Sequence, residues 1–255
     1  MILPSDFLLK AIGFIFLVIL FIVAERVWFL RSQKVFRVGF ITDIIHIIVN
    51  GLGVDLTTKL ITPGIFWFYH EILQSSSLSF FNEHSILAQF CILIFVSDFI
   101  GYCLHWTMHR FQFLWKLHET HHSVENMDWA GAFRNHVLGQ FYLNTLGSGS
   151  ILLLGFSTEV YFYKFFLDLF WTMFVHSNLR FSFGLLNYIF ITPQMHHWHH
   201  APDQKRKYIN LGVKFSFFDW IFRTAYLDDL PPKRFGLGKF FPVDYIGQQT
   251  YPFKS

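Results

Sequence analysis

Nine of the fourteen histidines in this 255-residue chain fall in two short windows, HWTMHRFQFLWKLHETHH at 105–122 and HHWHH at 196–200. Their spacing constrains the fold more than any other feature. His105 and His109 are four apart and share a helix face. His118, His121 and His122 follow an i, i+3, i+4 rule, and His196, His199 and His200 repeat it. A lone histidine is usually a satisfied core residue. Three clusters at ligand spacing point instead to imidazoles gathered around metal.

Composition says where such a site must sit. Hydrophobic residues make up 53% of the chain and charged residues only 15%, with 35 Phe and 8 Trp. That balance excludes an ordinary soluble enzyme and indicates an integral membrane protein. A net charge of +3 without a basic, aromatic-interleaved run gives no reason to expect nucleic acid. Cys91 and Cys103 stand 12 residues apart in one apolar stretch, about 18 Å along a helix, too far for a disulfide. They are expected as small buried apolar side chains, and a thiolate metal site is not expected.

The first apolar run, Phe7–Leu30, is long enough to cross a bilayer, and the N-terminus reads as an uncleaved signal anchor. Arg31, Lys34 and Arg37 follow it, which places that end in the cytoplasm. Val38–Val54 is a weaker span whose Asp43, His46 and Asn50 require a buried side. The segment 55–85 is expected outside, with an interfacial helix at Ile65–Leu73 and a turn at Ser75–Ser79. Ile86–Leu104 is a third span running straight into His105. Val137–Phe156 and Glu159–Val175 form a hairpin, with Lys164 and Asp168 paired at i, i+4. The expected fold is therefore an all-α integral membrane protein with four to five transmembrane helices and a cytoplasmic helical cap carrying the histidine clusters. Residues 1–85 form an N-terminal transmembrane hairpin region, 86–230 the catalytic domain and 231–255 a tail. A bacterial inner membrane is preferred over the endoplasmic reticulum.

Two other chemistries compete for these residues. His118-Glu119-Thr120-His121-His122 satisfies the H-E-x-x-H signature of a zinc metalloprotease, so an intramembrane protease using His118, Glu119 and His122 is the alternative. One four-coordinate zinc cannot use eight or more histidines, whereas two six-coordinate ions can. A metal transporter would place its ligands near the bilayer midplane on broken helices, not at span ends.

The order HxxxH, HxxHH, HxxHH resembles the fatty acid hydroxylase / sterol desaturase superfamily of membrane-bound di-iron oxygenases. The surrounding text SDFIGYCLHWTMHR, HHSVENMDWAGAFRNH, HSNLRFSFG, ITPQMHHWHHA and FFDWIFRTAY is similar to its bacterial sterol-desaturase-like and alkylglycerol-monooxygenase-like branches. This resemblance covers about Phe95 to Tyr226. It implies an O2-dependent enzyme that hydroxylates or desaturates a membrane lipid at two histidine-bound irons, with zinc from the medium as the alternative occupant of purified protein. It also implies electrons from NAD(P)H through a separate carrier or reductase, since the chain shows no Gly-rich dinucleotide motif of its own.

His176 in VHSN matches a further ligand position of that family. Where some members have another histidine this chain has Arg180, so His136 is the substitute candidate for a tenth ligand. The family's Asn-Tyr-Gly appears here as Ile209-Asn210-Leu211-Gly212, which leaves that loop's role open. Carboxylates commonly orient ligand imidazoles. Asp98, two turns before His105, is the preferred acceptor of a ligand N–H, with helix pairing as its other reading. Glu125 and Asp219 are further candidates for that role, against a solvated carboxylate and a turn cap. Asp128 carries the same two readings as Glu125. His197 is expected as a neighbour and not a ligand, and His46, His70 and His84 as ordinary histidines.

Overall fold

A computed structural model of the chain describes residues 4–68, 71, 81, 83–181, 183–202 and 208–254. Among them the fold is all-helical and contains no strand beyond two isolated bridges. Three helices are long and apolar enough to cross a membrane. These are α1 (Pro4–Val27), α2 (Phe40–Trp67) and α3 (Ile86–Arg110). Their outward faces are rich in exposed Phe, Ile and Leu, the pattern of helices whose solvent is hydrocarbon.

α3 begins at Ser85, whose hydroxyl caps Ala88 N–H, and stops at Phe111, a single extended residue. α4 (Gln112–His122) starts at once beyond it. That sharp bend folds the second histidine cluster back over the first. α5 (Val137–Leu143), a π-helical turn at Asn144–Ser148 and α6 (Gly149–Leu152) form one interrupted rod that packs on α2. α7 (Thr158–His176) returns between α1 and α3 and ends on the His176 ring. The short α8 (Pro193–His199), opened by Pro193, carries the last cluster. α9 (Phe217–Ile221) and α10 (Tyr245–Thr250) complete the cap. Leu17, Phe21, Trp129, Met173 and Leu179 form the core between α1, α7 and the loop after α4.

Several expectations change against this frame. α2 does not end at Val54: Asp55 and Lys59 pair at 2.5 Å on its exposed side, and the Thr57 and Thr58 hydroxyls bond back to the Gly53 and Val54 carbonyls. Local satisfaction of these polar groups carries the helix on to Trp67. The start of the Ile65–Leu73 segment thus belongs to α2; most of the rest, with His70 and Ser75–Ser79, lies outside the described residues. Val137–Phe156 is not one regular helix, because the π turn interrupts it and the chain leaves helical geometry after Leu152. Cys91 and Cys103 are free thiols, but exposed on α3 and not buried. In a bilayer the apolar face points outward, so a small apolar residue has no need to be inside. Lys164 does pair with Asp168, which also takes an ion pair from Lys214 at 2.8 Å.

Beneath α4 lies a buried charge network. Arg37 Nη2 meets Asp128 Oδ1 at 2.5 Å and Asp43 Oδ2 at 2.7 Å, and Arg134 Nε meets Asp43 Oδ1 at 2.5 Å. All four side chains are buried. The opposing carboxylates hold the Arg37 guanidinium even more firmly protonated, although burial alone acts the other way. Removing the Asp43 charge leaves the Arg134 guanidinium charged, buried and without a carboxylate, while Arg37 keeps Asp128. Asp43→Asn should therefore cost about 3–5 kcal/mol, read as a lower thermal unfolding midpoint in detergent. An unchanged midpoint would mean that the network is not what locks α2 to the loop after α4.

Candidate metal centre

Nine imidazoles converge into two adjoining groups. His105, His109, His118, His122 and His199 form one; His121, His176, His196 and His200 form the other. Within each group one ring nitrogen per residue lies within 4.8 Å of all the others. The groups touch through the stacked rings of His122 and His200, 4.6 Å apart, and through His118 and His121 at 5.2 Å.

The spatial groups are not the sequence clusters. The i, i+4 pair His118/His122 on α4 joins His105/His109 on α3, while His121 between them turns to the other group. On α8 the arrangement inverts: His196 and His200 enter the group of four, and His199 crosses to the group of five. On a helix, i+3 and i+4 lie about 60° and about 40° to opposite sides of i, and so about 100° from each other. Each H-x-x-H-H triplet therefore serves two centres at once.

Hydrogen bonds fix how the rings present their nitrogens. The Nδ1–H groups of His105, His121, His176 and His199 donate to the carbonyls of Leu211 (2.8 Å), Arg134 (3.2 Å), Thr172 (2.8 Å) and Ile209 (2.8 Å). A carbonyl only accepts, so Nδ1 carries the proton and Nε2 carries a lone pair aimed inward. Yet His121 Nε2 and His176 Nε2 are 3.1 Å apart, and His196 Nε2 lies 2.9 Å from His176 Nε2. In the other group His105 and His118 meet Nε2 to Nε2 at 3.1 Å, and His109 and His122 at 3.2 Å. Lone pairs face to face in a dry interior repel unless a cation lies among them. Burial drives the His118, His121, His122, His196, His199 and His200 imidazoles well below the usual histidine range, so extra protons are not that cation. Two all-nitrogen, neutral groups of five and four donors suit first-row divalent metals with positions left open, not a closed tetrahedral site.

The other candidates fall elsewhere. His136 is in neither group: its Nδ1 caps Leu138 N–H at the start of α5 and its Nε2 donates to the Gln249 carbonyl. His197 donates to Ser177 O and packs on Phe235. His46 pairs with Gln248. Asp98 does not accept from a ligand ring. Its carboxylate accepts the backbone N–H groups of Lys214 (2.8 Å) and Phe215 (2.9 Å) instead, because two helical turns, about 10 Å, separate it from His105. Lys214 is buried with it; burial alone would lower the ammonium pKa, and Asp168 and Asp98 together raise it. Glu125 is exposed, beside Gly236. Asp128 is neither solvated nor at a ligand ring but inside the charge network. Asp219 accepts from Leu211 N, Gly212 N and the Thr224 hydroxyl, and burial raises its carboxyl to about 6 despite these bonds. Glu119 lies outside both groups, its carboxylate paired with Lys239 at 2.6 Å. The carbonyls that orient the rings have no side-chain signature, so the sequence offers no direct sign of them.

With the geometry in hand, similarity to known proteins is informative. A family model described as fatty acid hydroxylase matches residues 90–224. The chain is 23% identical to the ornithine lipid hydroxylase OlsE of Rhizobium tropici over 233 residues, 90% of this chain and 69% of that protein. It is 29% identical over 145 residues to the alkylglycerol monooxygenase of Caenorhabditis elegans, and 30% identical over 127 residues to the human one. These stretches cover 56% and 50% of this chain but only 28% of each of those proteins. No solved structure matches the chain significantly.

The protonation logic gives a test with a definite sign. In the unfolded chain these histidines titrate near ~6.5, while in the fold they resist protonation. Stability is therefore fully present above ~6.5 and is lost as pH falls below it, and bound metal is released over the same range. Retention of metal and of the unfolding midpoint, followed together from pH 8 to pH 5, should fall in step. A metal content indifferent to pH across that window would contradict imidazole ligation.

Proposed function

The chain belongs to the fatty acid hydroxylase family, and from that membership and the two joined histidine groups we propose that it is a membrane-bound, di-iron, O2-dependent lipid hydroxylase. The observation that carries the reading is the abutment of inward Nε2 lone pairs, which calls for two cations side by side at the ends of apolar helices. Two irons bound there supply, with O2, an oxidant able to take hydrogen from an unactivated C–H bond. The net reaction is R–H + O2 + 2 e⁻ + 2 H⁺ → R–OH + H2O, with the electrons delivered from NAD(P)H through a separate carrier. Desaturation of the same substrate remains the neighbouring outcome. The relatives are named as a hydroxylase and as monooxygenases, which favours hydroxylation.

His105, His109, His118, His122 and His199 would hold one iron, and His121, His176, His196 and His200 the other. The carbonyls of Leu211, Ile209, Arg134 and Thr172 keep four of these rings in the binding tautomer. Trp115 packs against His109 and His122, and Tyr208 against His109, which shields the group of five from water. Substrate is drawn from the leaflet. Tyr188, Ile189, Trp220, Ile221 and Phe222 lie outside the three long helices yet are exposed, and Phe222 stacks on Phe99 of α3, continuing the apolar belt up to the cap. Ornithine lipid and alkylglycerol are the substrates named for relatives, so an amphiphile with a long saturated chain is the class to test. Comparing the lipids of a host with and without the gene should reveal a new hydroxyl.

We further propose that the hairpin of α5–α6 with α7 is embedded beside the three long helices, giving four to five crossings, and that the cap with residues 231–255 faces the cytoplasm. A reporter fused after Ser255 should then read as cytoplasmic; a reporter active on the far side of the membrane would sink this topology.

Glu119 separates oxygenase from protease. A zinc protease needs it as general base, so Glu119→Gln would abolish activity with metal still bound. Here it pairs with Lys239, and Glu119→Gln should retain most turnover. His121→Ala should remove a ligand from the group of four and leave under a hundredth of the activity in an O2- and reductant-dependent assay. The reverse pattern, with peptide cleavage indifferent to oxygen, would establish the protease.

A further inference from the structure

The loop Ile209–Phe215 faces the histidine groups with its backbone on one edge and buried carboxylates on the other. Asn210 has a left-handed φ of 51°, a conformation that surrounding bonds must hold in place. Those bonds are present. Its Nδ2 donates to Met195 O (2.7 Å) and Tyr226 O (2.8 Å), and its Oδ1 accepts from Tyr226 N (2.7 Å). The turn so fixed sends the carbonyls on either side of Asn210 toward the same group of five. Ile209 O accepts from His199 and Leu211 O from His105.

The peptide joining Leu211 to Gly212 is bonded at both ends. Its carbonyl accepts the His105 Nδ1–H at 2.8 Å, and its N–H donates to Asp219 Oδ2 at 2.9 Å. Gly212 is required there, since a Cβ would come within 2.7 Å of Asp219 Oδ2 and 2.6 Å of Phe215 O. A carboxylate pulling on the N–H polarises the amide and makes its carbonyl a better acceptor, which makes the imidazole on the other side a stronger donor to metal. Neither histidine group contains a carboxylate. Asp98 also binds this loop, but through Lys214 N and Phe215 N. The carbonyls of those two peptides belong to Val213 and Lys214, and the latter accepts from Ile191 N. Asp98 anchors the loop without reaching a ligand ring.

We propose that Asp219 is a positioning residue for the metal centre, acting on His105 through the single Leu211–Gly212 peptide, with Asn210 setting the turn that aims the loop's carbonyls at His105 and His199. This rests on the reading of the five histidines as a metal site. The arrangement is a carboxylate–histidine pair with one amide inserted, and it predicts an effect confined to one of two ions.

Cobalt(II) alone is the probe, titrated into the stripped full-length chain in detergent, with stoichiometry, affinity and visible absorption as readouts. The wild type should take up two ions. In Asp219→Asn one ion should bind about 10–100-fold more weakly, with its absorption shifted, while the second keeps its affinity and spectrum. Asp98→Asn should lower the unfolding midpoint and leave both affinities unchanged, which a merely structural role for both carboxylates would not produce. If Asp219→Asn does not accumulate, Thr224→Val replaces it. That variant removes the hydroxyl bonded to Asp219 Oδ1, which also meets Tyr102 OH, leaves the carboxylate in place and should still shift the absorption of one ion. Two ions bound with wild-type affinity and spectrum in these variants, or equal weakening by Asp98→Asn, would overturn the proposal alone. A wild type that binds fewer than two cobalt ions would overturn the di-metal reading beneath it.

Discussion

Imidazole lone pairs held nose to nose in a dry interior are the interaction on which everything else here depends. Four Nε2 to Nε2 approaches of 3.1–3.2 Å, and a fifth at 2.9 Å, recur across eight of the nine rings. Backbone carbonyls hold the protons of several rings on their far sides. Without cations this centre is a concentration of unmet acceptors, and with them it becomes the strongest cross-link in the fold. The nine rings come from α3, α4, α7 and α8 with its C-cap residue, so a cation held among them would tie the docking of these four helices together.

The buried acidic groups hold the packing around those rings. Asp43 fixes Arg134, and the Arg134 carbonyl holds the His121 ring. Glu25, near the end of α1, accepts both Trp129 N and Asn178 N. It thereby ties the first long helix to the loop after α4 and to the residues just past His176. Asp98 ties α3 to the loop behind His105. In each case a carboxyl group that hydropathy marks as out of place in an apolar chain is bonded to backbone N–H groups or to guanidinium. Such groups are affordable in a low-dielectric interior only when fully bonded, and that requirement makes them rigid.

The histidine clusters were legible in the sequence because helix periodicity writes them at fixed intervals, and the three long apolar helices because bilayer thickness does the same. What could not be read was whatever depends on direction in space. The triplets read as one face apiece, whereas His121 and His199 each cross to the other group. Asp98 lies on the right helix and, by spacing, beneath His105, but a backbone loop from the far end of the chain lies between them. His136, the substitute candidate for a tenth ligand, lies in neither group and caps α5. Cys91 and Cys103 were expected inside by a rule suited to water, which inverts when the solvent is lipid. The second long helix ran on past Val54 because its polar residues satisfy one another at i, i+4, a pairing that a hydropathy profile averages away.

The H-E-x-x-H string shows why a short signature underdetermines chemistry. As text it holds two zinc ligands and a base, and one turn of helix does put His118 and His122 side by side. In space those two join His105, His109 and His199, a set too large for tetrahedral zinc with an open position. Glu119 on the same turn points to Lys239 on the surface and has no proton to take from anything in the group. His121, a bystander in the protease reading, abuts His176 in the neighbouring group. Spacing selects which residues can act together; the partners of the remaining residues on the same turn decide what the action is.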